Sequence, residues 1–303
     1  MKKFVKSILI FGIAFFLLDK FFIFFIITSA EKEVDKRLEL VINGKINKEI
    51  VVFGSSRGAR NIIASEIEKE TGYSAYNLSY PGSNIEFHEF AIRSLLKFNK
   101  IPKVILLSVD YPMAFLPDSV LNFRLDRLYP LVKYSYINNE LIARGEKNLL
   151  MSHLFALSRM NKYIINLKQK KFMPKDTVYS DGSMPISFQK PNENWDKAKT
   201  IKKYNSLKEL KIKREAFQKI ITMCKENNIR LILVSPPLLD SMDSEFKARL
   251  KLLTSNTIEI LECDSQNPIY KDKNYYYDKT HLNTKGALIF TKEITLYLKN
   301  TKR

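Results

Sequence analysis

Histidine and cysteine are scarce in this chain: 303 residues hold three of the first and two of the second. Cys224 and Cys263 fit no metal-ligand spacing and cannot build a disulfide framework. Each lies beside an apolar core segment, so both read as buried free thiols, a single bridge being the remaining alternative. Acidic residues are also in deficit, 32 against 50 Lys and Arg, which leaves a net charge of +18. Lys far outnumbers Arg, and such a surface suits anionic lipid or an anionic polymer. There is no Arg-rich stripe, zinc spacing or aromatic run of the RNA-binding kind, so nucleic acid is not an expected partner. Internal repeats and low-complexity tracts are absent as well.

What remains is ample for a folded core. The chain is 45 % hydrophobic and 12 % aromatic, outside the range of disordered compositions. It is long enough for one large or two small domains. Lys2, Lys3 and Lys6 precede an almost wholly apolar run, residues 8–27, broken only by Asp19-Lys20. That length matches a bilayer-spanning helix of about 20 residues. Three readings compete: a signal-anchor with its basic end in the cytoplasm, a signal peptide cleaved near Thr28-Ser29-Ala30, and a buried soluble helix. The first is preferred, with membrane contact through residues 4–28. Asp19 and Lys20 then need each other, a partner helix or a displaced span, because charge inside a bilayer is costly.

Residues 1–30 are thus expected to be an anchor, 31–47 a charged linker, and 48–303 a folded domain. Ile50 to Phe53 reads as a strand that stops at Gly54-Ser55-Ser56, where a helix begins. The pattern continues with a helix over 60–71 closed by Gly72, a strand over 74–78, a Pro81-Gly82 turn, a helix over 85–98 and an apolar strand over 103–109. This alternation predicts a parallel α/β sheet, with ligands at the carboxyl ends of its strands. Residues 111–204 lose the pattern and read as an insertion, with a helix over 149–169 and a turn at Asp181-Gly182-Ser183. Order returns with a helix over 210–227, a strand over 229–235, a helix over 244–253, a strand over 257–262 and a final helix over 284–299.

Ser56 stands where backbone N–H groups at a helix start lack partners. As an N-cap it would be ordinary; as a nucleophile it needs a base. His88 and His153 fall in helices and read as core or solvated side chains. His281 lies in a loop before the last helix, three residues after Asp278, a carboxylate placed to fix its tautomer.

Here the chain resembles the SGNH/GDSL hydrolase superfamily. Gly54-Ser55-Ser56 is similar to the family's Gly-Asp-Ser block, with the nucleophile third. Asn77 to Ser83 resembles the second block, whose glycine N–H helps form the oxyanion hole. Asp278-Lys279-Thr280-His281 resembles the last block, which carries acid and base. The likeness spans about residues 48–298 without the insertion. It implies a three-layer α/β/α domain with a five-stranded, mostly parallel, flavodoxin-like sheet. It also implies a triad of Ser56, His281 and Asp278, an oxyanion hole from the N–H groups of Ser56 and Gly82, and no metal or cofactor. The membrane-anchored branch, similar to D-alanyl-lipoteichoic acid biosynthesis and alginate O-acetylation proteins, is the nearest match. That branch implies a single-pass cell-membrane protein with an extracytoplasmic domain. Its substrate would be an acylated polysaccharide or glycolipid, with a membrane acyl-donor protein as partner. Two positions depart from the family. Ser55 replaces an aspartate, and the third block's Gly-x-Asn-Asp becomes Ser108-Val109-Asp110-Tyr111. An ionised Asp110 cannot donate to an oxyanion, so Asn84 is assigned that role and Asp110 a substrate contact. The departure also keeps open a non-catalytic binding or scaffold protein in surface-polysaccharide assembly.

Overall fold

In the computed structural model, residues 1–109, 112–165, 171–189, 204–239, 244–255, 258–264 and 266–301 are described. The chain opens with α1 (Lys2–Lys32) and α2 (Arg37–Ile42). Next come β1 (Ile50–Phe53), α3 (Ser56–Asn61), α4 (Ala64–Thr71), β2 (Ala75–Asn77), α5 (Ile85–Phe98) and β3 (Val104–Ser108). Four short helices follow: α6 (Leu125–Leu128), α7 (Ser135–Ala143), α8 (Leu149–Leu154) and α9 (Lys162–Ile165). The remainder is α10 (Lys211–Glu226), β4 (Arg230–Ser235), α11 (Ser244–Leu253), β5 (Glu259–Glu262), β6 (Tyr276–Asp278), β7 (His281–Leu282) and α12 (Thr284–Asn300). Two compact units result, Met1–Glu39 with Arg124–Lys171, and Leu40–Phe123 with Phe172–Arg303.

The larger unit is built on a five-stranded sheet in the order β2-β1-β3-β4-β5, every pair parallel. This order reverses direction between β1 and β3, the switch point at which open α/β sheets bind ligands. Alternate residues face opposite sides of a strand. Val51, Phe53, Ile105, Leu107, Leu231 and Leu233 therefore pack one face against α5 and α10, through Ile92, Leu95, Phe217 and Ile220. Val52, Leu106, Ile232 and Val234 pack the other against Ile67 of α4 and Phe290 and Ile294 of α12. The result is a three-layer α/β/α arrangement, as the strand–helix alternation predicts. Fully burying one such side chain stabilises by about 1.5–3 kcal/mol.

Several elements differ from the sequence expectation. The helix expected over 60–71 is two helices, broken at Ile62 and Ile63, both extended. The break is held from outside. The Asn77 amide donates to Ile62 O at 2.8 Å, and Thr291 Oγ1 accepts the Ile63 N–H at 3.1 Å. The turn at Asp181-Gly182-Ser183 is present, with Gly182 at φ +80°. Its side chains cap α4: Ser183 Oγ accepts from Ala64 N–H at 2.9 Å and Asp181 Oδ2 from Ser65 N–H at 2.7 Å. His281 lies in an antiparallel strand pair, β6–β7, rather than a loop. Cys224 is buried, Cys263 is only half-buried, and both are free thiols.

In the smaller unit α1 is a 31-residue helix whose most apolar 18 residues have a mean hydropathy of 2.4, long and apolar enough to cross a membrane or to serve as a signal sequence. The continuous helix expected over 149–169 is instead α8, a single 3-10 turn at Leu157–Arg159, and α9. The Asp19 carboxylate explains the interruption. It accepts the N–H groups of Ala156 and Leu157, each at 2.7 Å, and removes them from any helical ladder. Asp35 and Arg37, both nearly sealed from solvent, form a two-pronged ion pair at 2.8 and 2.7 Å. Burial would raise the Asp35 pKa, but Arg37 and Arg127 outweigh it and hold it at about 2.

Candidate active site

Ser56 is the first residue of α3, directly beyond the carboxyl end of β1. Ser55 takes the N-cap place, and its Oγ accepts the Arg57 N–H at 3.4 Å. The cap role and the exposed role are thus divided between neighbouring serines, which leaves the Ser56 hydroxyl free to act. The turn is tight. A Cβ on Gly54 would stand 2.7 Å from Ser108 Cβ, and one on Gly58 would stand 2.6 Å from Ser79 Oγ. Only glycine lets β1 and α3 come this close to the neighbouring strand ends.

The structure brings Ser56, His281 and Asp278 together. Ser56 Oγ is 2.8 Å from His281 Nε2, and His281 Nδ1 is 2.9 Å from Asp278 Oδ1. A carboxylate can only accept, so Nδ1 carries a proton toward Asp278 and Nε2 is left to accept from the serine. Asp278 Oδ1 also accepts the N–H groups of Thr280 and His281 at 2.9 and 3.0 Å and the Thr280 hydroxyl at 3.0 Å. Burial would raise the Asp278 pKa. The His281 imidazole and the Thr280 donors outweigh it and hold the carboxyl well below the usual carboxylate range. The His281 side chain is 15 % exposed, so a small group can reach it. Thiol chemistry is disfavoured, because burial pushes Cys224 up to about 12 and Cys263 up to about 11.

The second loop is clipped to the first. Tyr80 N–H donates to Gly54 O at 2.9 Å, and Ser83 N–H donates to Tyr80 O at 3.0 Å. Pro81 and Gly82 are the central residues of that turn, and Gly82 has φ +76°, the left-handed conformation a type II turn demands there. Among the described residues, the N–H groups of Ser56 and Gly82 have no hydrogen-bond acceptor. Beneath the turn, Ser83 Oγ lies 2.7 Å from Tyr80 O and 2.9 Å from His88 Nε2. The Ser83 proton serves the carbonyl, so His88 donates from Nε2 as a neutral imidazole. Burial pushes its pKa down to about 3. The buried-histidine reading of His88 holds. His153 lies exposed in α8.

Asn84, expected as an oxyanion donor, is engaged elsewhere. It caps α5, its Oδ1 accepting the Phe87 N–H at 3.1 Å and its Nδ2 donating to Glu86 at 3.2 Å. Asp110 lies outside the described residues.

Sequence reasoning missed the side chains that hold the constellation together. Asn61, at the end of α3, accepts the Leu282 N–H at 3.0 Å and so fixes the strand bearing His281 to the helix bearing Ser56. Asn77 reaches Gly58 O at 2.9 Å and steadies the same helix. A polar residue at the end of a predicted strand or short helix was the available signal. Among the described residues no His, Cys, Asp and Glu cluster could hold a metal ion. A cavity of about 520 Å³ opens at the opposite end of the sheet, lined by residues that include Lys103, Arg230 and Glu259 at the amino ends of β3, β4 and β5. Arg230 and Glu259 are locked in a bidentate pair there, and the lining holds no Ser, Cys or His.

No family model matches this chain, and no curated protein matches it. Solved structures do align with it, among them these two. A protein from Bacteroides fragilis assigned as an acylhydrolase shares 13 % identity, with 90 % of this chain and 98 % of that chain covered and a TM-score of 0.41. An acetyl xylan esterase from the rumen bacterium Butyrivibrio proteoclasticus shares 10 % identity, covering 83 % of this chain and 63 % of that chain at a TM-score of 0.38.

Proposed function

We propose that the chain is a serine ester enzyme of the SGNH type. The observation that carries this reading is the unbroken line from Ser56 Oγ through His281 to Asp278 at the sheet's switch point. Ser56 Oγ attacks an ester carbonyl carbon while His281 Nε2 takes its proton. The negative oxygen is met by the N–H groups of Ser56 and Gly82, and donors so placed stabilise charge that develops only in the transition state. The carbonyl–oxygen bond to the alcohol then breaks, and His281 returns the proton to the departing oxygen. The acyl group is left on Ser56. A second hydroxyl, of water or of a sugar, repeats the steps in reverse and frees the serine. Asp278 stays ionised throughout and orients the imidazole.

The substrate we favour is an acyl or acetyl ester on a surface carbohydrate polymer or glycolipid. The family likeness of the three motifs supports it, as does the basic surface. In this reading α1 anchors the protein in the cell membrane with the larger unit outside the cytoplasm. A membrane acyl-donor protein would supply the acyl group if a sugar is the acceptor. Asp110 is assigned a substrate contact. The test is p-nitrophenyl acetate turnover by the full chain in detergent, together with labelling by a fluorophosphonate. Ser56→Ala and His281→Ala should each abolish turnover, and Ser56→Ala should abolish labelling. A wild-type protein that neither turns over the ester nor takes the label at Ser56 would favour the non-catalytic binding protein.

A further inference from the structure

We infer that residues 148–157 form a second membrane-contacting element, seated in the lipid beside α1 and adapted to an anionic bilayer. The inference rests on the reading of α1 as a membrane helix. It begins with the charged pair that interrupts the apolar run. The Asp19 side chain is fully removed from solvent. Its three partners are Lys20 Nζ at 3.1 Å and the N–H groups of Ala156 and Leu157. Lys20 Nζ also donates to Leu154 O at 3.0 Å and stands 4.0 Å over the Phe16 ring. The Phe15 and Phe155 rings meet edge to face at 5.8 Å. Segment 154–157 is therefore latched to α1 at the level of residues 15–20.

That level lies inside the bilayer. A helix rises about 1.5 Å per residue and an apolar bilayer core is about 30 Å thick, so a span starting at Phe4 ends near residue 24. Asp19 then lies roughly 8 Å below the outer boundary, and whatever pairs with it must reach that depth. Irregular backbone is tolerated in lipid only where its polar groups are satisfied. Here two of the exposed donors are spent on Asp19 and one of the carbonyls on Lys20.

The outward surface of the segment fits the same place. Leu149, Leu150, Met151, Leu154 and Leu157 are 43 to 66 % exposed, and Leu17, Leu18 and Phe21 on α1 are 64 to 70 % exposed. In water, five large apolar side chains exposed within residues 149–157 would mark an interaction site. Two polar groups turn inward, Ser152 Oγ donating to Asn148 O at 2.6 Å and the Arg159 guanidinium to Ser152 O, while His153 is exposed among the leucines. The sequence has no acidic residue between Glu146 and Asp176 but seven Lys and Arg. Lys147 reaches Ser158 O and Met160 O at 3.1 Å, with the Glu146 carboxylate acting on it from the adjacent position. An apolar tip with basic flanks and no acid suits the surface of an anionic leaflet.

The test is the depth of a reporter indole. The full chain carries one native tryptophan, Trp195, so Trp195→Phe supplies a silent background. Leu150→Trp or Leu154→Trp reports the segment, and Phe11→Trp reports α1. Each variant is reconstituted into phosphatidylcholine and phosphatidylglycerol vesicles whose acyl chains carry bromine at shallow or deep carbons. The inference requires both segment indoles to emit blue-shifted light and to be quenched most by shallow bromine, with Phe11→Trp quenched by deep bromine. Quenching at position 11 together with unquenched indoles at 150 and 154 would overturn the inference and leave α1 a membrane helix. That holds whether those indoles emit as in water or as if covered by protein. No quenching at position 11 would overturn the membrane reading of α1 and this inference with it.

Discussion

Replacing His88 by Gln should flatten the acid sensitivity of folding. The buried imidazole has a pKa of about 3, whereas a histidine in an unfolded chain titrates near 6.5. The folded value is the lower one, so between the two it is the unfolded chain that binds the proton. Stability is therefore full above about pH 6.5 and declines as pH falls toward about 3. At about 1.4 kcal/mol per pH unit, and with the rounding near the unfolded pKa included, a fall from pH 7.5 to pH 5 costs about 2 kcal/mol through this residue. Glutamine keeps an N–H donor near the place of Nε2, so the bond to Ser83 survives while the titration disappears. Asp35, held at about 2, and Asp278, held lower still, lose their contributions only at more acid pH, which keeps His88 separable. The assay is urea unfolding of the full chain in detergent at the two pH values, followed by near-ultraviolet circular dichroism. The difference between pH values should shrink by about 2 kcal/mol in His88→Gln. Equal differences in the two proteins would refute the reasoning.

Asp278→Asn should leave ester binding intact and lower kcat by about a thousandfold or more, because the amide favours the wrong imidazole tautomer; steady-state kinetics that show an unchanged kcat would contradict the assigned role. Asn61→Ala leaves the Leu282 N–H without its acceptor, at about 1–3 kcal/mol, and loosens β7 against α3. Its kcat should fall while KM stays close to wild type, again read from steady-state rates. Gly54→Ala forces a contact of 2.7 Å with Ser108 Cβ and should cost about 1–3 kcal/mol of stability in urea titrations. Adding Ser108→Gly removes that atom but should restore only part of the loss, because Gly54 has φ +157° and the new Cβ would still stand 3.2 Å from Ser108 O.

The sheet was legible because its central strands are buried on both faces. Ile50 to Phe53, Val104 to Ser108 and Arg230 to Ser235 read as short apolar runs for that reason. The order of Ser56, Asp278 and His281 was legible too, because each follows a strand or precedes a helix that the pattern marks. Less visible were features set by partners distant in sequence. Ile62 and Ile63 continue a helical pattern, yet Asn77 and Thr291 draw their backbone out of it. The run from Leu149 onward has helical spacing, but Asp19 claims its N–H groups from 137 and 138 positions away. Asn84 was read for its amide chemistry, when its neighbours Glu86 and Phe87 commit it to a helix cap. The β6–β7 pair is too short for a periodicity to show, with three residues in one strand and two in the other.

The latch at Asp19 also bears on how the chain is made. The carboxylate leaves the ribosome early, whereas Ala156 and Leu157 follow 137 and 138 residues later. At synthesis rates of about 5–20 residues per second that interval is about 7 to 27 s. For that time the newborn helix holds Asp19 and Lys20 with only each other for company. Three strands of the sheet are synthesised before the second half of the smaller unit exists. In the proposed membrane reading of α1, a helix that waits so long for its missing backbone donors is a natural client for whatever machinery shelters half-made membrane segments, and Asp19→Leu would free the chain from that delay.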